Sequence, residues 1–251
     1  MSEFIDTNDE RIDELNIDGY RLWQNGKLFR FGIDAVLLAA FAKIKKTDKV
    51  VDICSGSGII PFLYLARRDV SEITAVEYFE YFCSLMKRSA QMNGCEDRIN
   101  IVNADIKNIS EYFPKSTFDV LTVNPPYEKN GHGIDCPSQI KNAARRETLC
   151  DITDVVAAAH HLLKTGGRMY MIHRPSRLCD IFCALRSGGF EPREVQLVSS
   201  KQGSVPNLVL ISAIKGAPPY LKVLPNLVIY NEDGSYTEES SKIYTERKDN
   251  E

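Results

Sequence analysis

The sequence predicts an α/β fold: a seven-stranded, mostly parallel sheet with helices on both faces. Three observations carry that expectation. From residue 49 onward, short β-branched runs alternate with helical stretches, the pattern of parallel strands joined by crossover helices. Glycines stand where helices must stop, at Gly94, at Gly166-Gly167 and at Gly188-Gly189. The first four apolar runs each lead into polar or glycine-containing segments, so that polar side chains gather at one end of the sheet.

In chain order, the first twenty residues are polar and read as a lead-in. A helix follows from Asp34, whose carboxylate is placed to cap it. The seven strands are expected at 49–53, 73–77, 99–103, 118–123, 168–172, 192–198 and 208–214. Helices are expected at 59–68, 80–93, 106–113, 152–163 and 176–187. Residues 124 to about 150 form a connection far longer than an ordinary strand-to-helix turn, and such loops commonly bind or cover something. After Lys215 the run Gly216-Ala217-Pro218-Pro219 breaks the pattern, and 227–230 with Tyr236-Thr237 suggests a terminal hairpin. The organisation is therefore a lead-in with its helix over 1–45, the α/β domain over 46–217 and a tail over 218–251.

A chain of 251 residues, 43% hydrophobic and 26% charged, suits one globular domain with small additions. The apolar stretch at 35–42 falls well short of the roughly 18 to 20 residues that span a bilayer, and Met1-Ser2-Glu3 opens on an acid rather than a basic signal region. A cytoplasmic protein without membrane association is expected. The seven cysteines (54, 83, 95, 136, 150, 179 and 183) contain no Cys-x-x-Cys pair, and His160-His161 has no partner ligands in sequence. No metal is expected, and the thiols read as reduced, mostly buried, small hydrophobes.

The net charge of −3 argues against a nucleic-acid partner until its distribution is examined. Residues 1–18 hold seven acids and one base, and residues 231–251 hold seven acids and three bases. The body between them carries 27 bases against 20 acids. Acidic ends that keep the protein soluble account for the termini but not for this basic body.

The first strand runs into Asp52-Ile53-Cys54-Ser55-Gly56-Ser57-Gly58, a glycine-containing turn that opens a helix. Such turns let backbone approach a ligand closely, and a helix start offers free amide donors. Glu77 ends the next run, where a carboxylate can accept both ribose hydroxyls of a nucleoside, and Asp105 follows the third run, placed for an adenine amino group. A dinucleotide site is the rival reading. It prefers a third glycine where Pro61 stands.

At the fourth strand end comes Asn124-Pro125-Pro126-Tyr127. Each proline locks its own φ and biases its predecessor to extended backbone, so the segment is rigid. An exocyclic amino group is a poor nucleophile because its lone pair is delocalised. Two fixed acceptors, the Asn124 side-chain oxygen and the Pro125 carbonyl, would bind both its hydrogens and favour the developing tetrahedral nitrogen. Tyr127 would stack on a planar substrate.

The turn at 52–58 resembles the Asp-x-Gly-x-Gly-x-Gly motif of class I methyltransferases, which have a Rossmann-like fold, with Cys54 in place of the first glycine. The resemblance implies S-adenosylmethionine as cofactor, held by Asp52, Cys54, Gly56, Gly58, Glu77, Asp105 and Asn124. Asn-Pro-Pro-Tyr is similar to the motif of amino-methyltransferases acting on adenine N6, guanine N2 or glutamine amides. Three further segments, Phe31-Gly32-Ile33-Asp34-Ala35-Val36-Leu37-Leu38, Ala144-Arg145-Arg146-Glu147 and Ile172-His173-Arg174-Pro175-Ser176-Arg177-Leu178, look like the bacterial tRNA1(Val) adenine-N6 methyltransferases (TrmN/YfiC-like).

That likeness spans roughly residues 20 to 215. It implies a tRNA anticodon-loop adenine as substrate, Asp34 beside the methionine end of the cofactor, and Arg145, Arg146, Arg174 and Arg177 on RNA phosphates. The alternatives are Asp34 as a helix cap, solvated arginines, and His173 as a structural hydrogen bonder rather than a base. For the whole protein, they are a glutamine-N5 methyltransferase, a guanine-N2 methyltransferase, or an RNA-binding module without turnover.

Overall fold

The computed structural model describes residues 9–27, 32–67, 69–127 and 150–245. Its centre is a nine-stranded sheet. Seven strands lie where the β-branched runs predict them: β3 (Val50–Ile53), β4 (Ile73–Glu77), β5 (Ile99–Asn103), β6 (Phe118–Val123), β7 (Leu163–His173), β8 (Phe190–Lys201) and β9 (Leu208–Lys215). Two short strands, β10 (Lys222–Val223) and β11 (Leu227–Tyr230), pair with β8 at the sheet's edge. Spatial order is β10-β8-β9-β7-β6-β3-β4-β5, and β9 alone runs antiparallel.

Alternation along the strands supplies two cores. Val50, Val120, Tyr170, Ile172 and Leu210 face one side, where α1 (Ile33–Phe41), α2 (Ile59–Arg67) and α3 (Glu80–Asn93) pack. Val51, Ile53, Leu121, Val123, Met169, Met171 and Ile211 face the other, against α4 (Ile152–Leu162) and α5 (Leu178–Ser187). Strands buried on both faces must be apolar at nearly every position, which is why their ends were readable as runs. Among the described residues no helix is long and apolar enough to cross a membrane.

The chain leaves β3 toward β4 and β5, then returns to pair β6 with the opposite edge of β3. The connections diverge there, and the carboxyl ends of β3 and β6 mark the switch point beyond which open α/β sheets bind their ligands. The glycine turn and the Asn-Pro-Pro-Tyr segment leave the sheet at this point.

Several expectations are corrected. Part of the polar lead-in is a hairpin, β1 (Glu10–Glu14) with β2 (Arg21–Asn25), turned by Asn16, Asp18 and Gly19, all at positive φ. β2 lies on α3: the Trp23 amide donates to Ser89 Oγ (2.9 Å), and Asn93 exchanges two hydrogen bonds with the Arg21 backbone. The expected cap at Asp34 is not made. Helix α1 starts at Ile33 behind Gly32, with no side-chain cap, and Asp34 sits in its first turn.

Residues Ile106–Glu111 form a 3-10 segment kinked at Asn108 instead of an α-helix. Pro175–Arg177 is likewise 3-10, before α5 begins at Leu178. The terminal hairpin reduces to one bridge, Tyr230 to Tyr236, because β11 is recruited by the main sheet, and α6 (Glu238–Thr245) follows. Cys179 and Cys183 are exposed on α5, contrary to the expectation of burial, whereas Cys83, Cys95 and Cys150 are buried. Cys136 lies outside the described residues.

Leu22, fully buried from β2, joins the hairpin to the core beneath it. Leu22→Ala should lower the unfolding free energy in urea by about 2 to 4 kcal/mol, as truncation of a core leucine does, where a loosely attached lead-in would give almost no change.

Candidate active site

Asp52, the last residue but one of β3, is fully buried, and its Oδ1 accepts from Thr122 Oγ1 at 2.5 Å across the β3–β6 pair. Its Oδ2 has no partner among the described residues. Burial pushes this carboxyl up to about 7, against the opposing hydrogen bonds from Thr122 and Ser55, and the nearby Glu77 raises it further.

The next residue but one, Cys54, takes φ +57°, the left-handed region that the resembled motif fills with glycine. The turn's shape therefore survives the substitution, at a conformational cost of about 1 kcal/mol. A hydrogen bond to Cys150 and burial push the Cys54 thiol well above its usual range, so it is not a thiolate.

Gly56 and Gly58 complete the turn at φ +55° and +88°. A Cβ on Gly58 would lie 2.7 Å from Met86 Cγ, so close packing of α3 requires glycine there. A Cβ on Gly56 would meet nothing within 4 Å among the described residues, which leaves its backbone open to a ligand there. Glu77 holds the turn in place: its Oε2 accepts from the Gly56 amide (2.8 Å) and its Oε1 from the Phe79 amide (2.9 Å). Each oxygen keeps a second lone pair for a hydroxyl donor. Burial raises the Glu77 carboxyl, and its backbone hydrogen bonds oppose that.

Asp105 follows β5 and caps the 3-10 segment, with Oδ1 accepting from the Lys107 amide (2.9 Å). A turn open to close approach, a ribose-type acceptor at the second strand end, a further carboxylate after the third and an unpartnered buried Asp52 oxygen together fit an adenosyl cofactor.

The Asn-Pro-Pro-Tyr segment leaves β6 beside this turn. Pro125 is buried, while Asn124, Pro126 and Tyr127 are partly so. The Tyr127 hydroxyl lies 2.9 Å from Asp34 Oδ2 and 2.5 Å from Asn124 Oδ1, bringing the first turn of α1 into the site. Burial and the Asp34 charge push the Tyr127 phenol well above its usual range. Its ring is flanked by His173, at 5.1 Å between centroids, and by the Arg174 guanidinium at 5.0 Å.

His173 is buried and accepts from the Arg174 amide through Nδ1 (2.8 Å). Burial, with the Arg177 and Arg174 charges, lowers it to about 4, so it is a neutral structural group. Arg174 donates to the Asn207 carbonyl (3.0 Å), and Arg177 pairs with Asp180 (2.9 Å). Arg145 and Arg146 lie outside the described residues.

Two contributors escaped the sequence reading. Thr122 is one β-branched residue among many in a strand. Gln24, fully buried, donates through Nε2 to Ser57 Oγ at 3.1 Å, and only its place two residues after Leu22, on the same face of β2, hinted at burial.

Asp52 binds its proton more tightly folded than unfolded, so its contribution favours folding at low pH and is lost as pH rises from about 4 through 7. His173 has the opposite sign over about 4 to 6.5 and masks that loss in the intact protein. Asp52→Asn should therefore become more stable relative to the unsubstituted protein by up to about 1.4 kcal/mol per pH unit over this window. Urea titrations at pH 5, 6 and 7 measure it, and a pH-independent difference would contradict the raised Asp52 value.

Known proteins place this geometry. A model of the methyltransferase small domain matches residues 32–180. Relatives named tRNA1(Val) (adenine(37)-N6)-methyltransferase include one from Histophilus somni, 28% identical, the match covering 90% of this chain and 93% of that protein. Another, from Bacteroides fragilis, is 25% identical, covering 77% and 80%. Among solved structures, Agrobacterium tumefaciens Atu636, described as a predicted O-methyltransferase, superposes with a TM-score of 0.69 at 22% identity, covering 85% of this chain and 96% of that one. Thermus thermophilus TrmN gives 0.54 at 24% identity, covering 72% and 48%. With the strand-end constellation and the family match over more than half its length, the chain belongs to the methyltransferase small domain family.

Proposed function

We propose that this protein transfers a methyl group from S-adenosylmethionine to N6 of an adenine in tRNA, the adenosine beside the anticodon of a valine tRNA. The observation that carries the reading is the Asn124-to-Tyr127 segment at the carboxyl end of β6, adjacent to the turn after β3. The names of the relatives, matched over most of their length, support the choice of adenine over guanine or a glutamine amide.

The cofactor, when bound, supplies an electrophilic methyl group on sulfur. Asp34, Asp52, Cys54, Gly56, Gly58, Glu77 and Asp105 would surround it, with Glu77 receiving the ribose hydroxyls. Asn124 Oδ1 and the Pro125 carbonyl would accept the two amino hydrogens of adenine. As nitrogen turns tetrahedral and its hydrogens gain positive charge, those two bonds strengthen, so they stabilise the transition state more than the ground state. Proline on both sides of the Pro125 carbonyl keeps that acceptor from turning away. Tyr127 would offer its ring to the flipped base, and anticodon loops present the unstacked bases such a pocket requires. Arg145, Arg146, Arg174 and Arg177 remain the proposed contacts to RNA phosphates. For Arg174 and Arg177, binding would mean exchanging the intramolecular partners seen here. A tRNA substrate supports a cytoplasmic location for the reaction.

Methyl-labelled S-adenosylmethionine, incubated with bulk tRNA from a host lacking the activity, should yield N6-methyladenosine on nucleoside analysis. Label as N2-methylguanosine, or in protein from the same host, would overturn the substrate. Asn124→Ala should lower turnover by about 100-fold or more, as loss of a transition-state hydrogen-bond acceptor does, with cofactor affinity nearly unchanged by calorimetry.

A further inference from the structure

Tyr127 Oη stands between two oxygens, 2.9 Å from Asp34 Oδ2 and 2.5 Å from Asn124 Oδ1, but a phenol has one proton to give. The phenol is held protonated by its burial and by the Asp34 charge, so it acts as a donor. A carboxylate is a stronger acceptor than an amide, and the proton goes to Asp34. With the proton there, Asn124 Oδ1 would face a bare phenol oxygen at 2.5 Å, two acceptors with no hydrogen between them. Amide oxygen and nitrogen are alike in shape, and their assignment follows from the hydrogen-bond network. Turning the Asn124 amide over, with the 2.5 Å contact relaxing to the length of an N–H···O bond, would satisfy every group: Asn124 Nδ2 would donate to Tyr127 Oη, and Tyr127 Oη to Asp34 Oδ2.

We propose that Asp34 and Tyr127 form a directional lock that presents the oxygen of the Asn124 amide, and not its nitrogen, to the substrate amino group. This rests on the role proposed above for Asn124. A free amide would spend part of its time aiming two N–H donors at an amino group that must itself donate, a repulsive pairing. The lock removes that state before substrate arrives. Asp34 acts through Tyr127 and is a positioning residue, a role distinct from capping α1 and from contacting the cofactor. Asparagine at position 34 can donate as well as accept, so Asp34→Asn destroys the chain's direction. Tyr127→Phe keeps the ring and removes the relay atom.

The test has two arms on the full-length protein. In the first, asparagine is labelled with nitrogen-15, and the Asn124 side-chain signal is identified by its loss in Asn124→Ala. One Asn124 amide hydrogen should be protected from solvent exchange, and its exchange should speed up by about tenfold or more in both Tyr127→Phe and Asp34→Asn, the loss of one hydrogen bond in a charged chain. The same spectra report whether each variant is folded.

In the second arm, kcat for methyl transfer to tRNA should fall about tenfold in each single variant and by little more in the double variant, because both break one chain. In Tyr127→Phe, which changes no residue of the cofactor site, the dissociation constant for S-adenosylmethionine should stay within about threefold. Unchanged Asn124 exchange in both folded variants, or kcat losses that multiply, would overturn the lock. If the unsubstituted protein transfers no methyl to tRNA, the functional reading fails, and the exchange arm still decides whether the lock exists.

Discussion

The hydrogen bond from Thr122 to the buried Asp52 carboxylate joins the two central strands where the chain changes direction across the sheet. Both residues precede a loop by two positions. Cys54 follows Asp52 into the glycine turn, and Asn124 follows Thr122 into the Asn-Pro-Pro-Tyr segment. The ladder sets the register of β3 and β6, and this side-chain bond pins the same pair of residues from above the backbone. On the proposed function, a methyl donor on one loop and an acceptor nitrogen on the other would have to meet within a few tenths of an ångström, and a misplacement of about 1 Å is enough to cost 100-fold in rate. An ionisable group in such surroundings is costly unless it is partly neutralised, which agrees with a carboxyl raised to about 7.

What the sequence made legible follows from this arrangement. Strands buried on both faces carry few polar residues, so 73–77 and 118–123 were readable to the residue. The turn at 52–58 and the proline pair were readable because glycine and proline mark backbone conformation directly. The hairpin before α1 was not. Its strand Glu-Arg-Ile-Asp-Glu is almost wholly polar, since it lies on the outside of α3 and only β2 contributes a fully buried apolar residue. Its turn signal was present in Asn16, Asp18 and Gly19 but had no apolar runs to frame it. Of the two roles the sequence offered Asp34, cap and cofactor contact, the cap is not made, and its partner Tyr127 is 93 residues away, beyond the near neighbours that sequence shows.

The arginines show the same limit from the other side. A guanidinium in sequence is a charge without an address. Arg174 and Arg177 read as phosphate contacts, and the structure gives the first to the Tyr127 ring and the Asn207 carbonyl and the second to Asp180. Arg174 over Tyr127 places positive charge beside the proposed base site, so its exchange from the ring to a phosphate would link RNA docking to the freedom of the tyrosine.

The hairpin changes how the cofactor turn should be understood. Cys54 holds a left-handed backbone that a side chain disfavours, so something outside the turn must impose its shape. Glu77 fixes it from β4 through the Gly56 amide, and Met86 closes on Gly58 from α3. The third support comes from β2, whose buried Gln24 reaches Ser57, while the same strand is tied to α3 through Ser89 and Asn93. Helix α3 and the hairpin thus bear on the turn from two directions and on each other. A turn braced in this way tolerates cysteine where relatives of the motif carry glycine, because the restraint lies in its neighbours and not in its own backbone freedom.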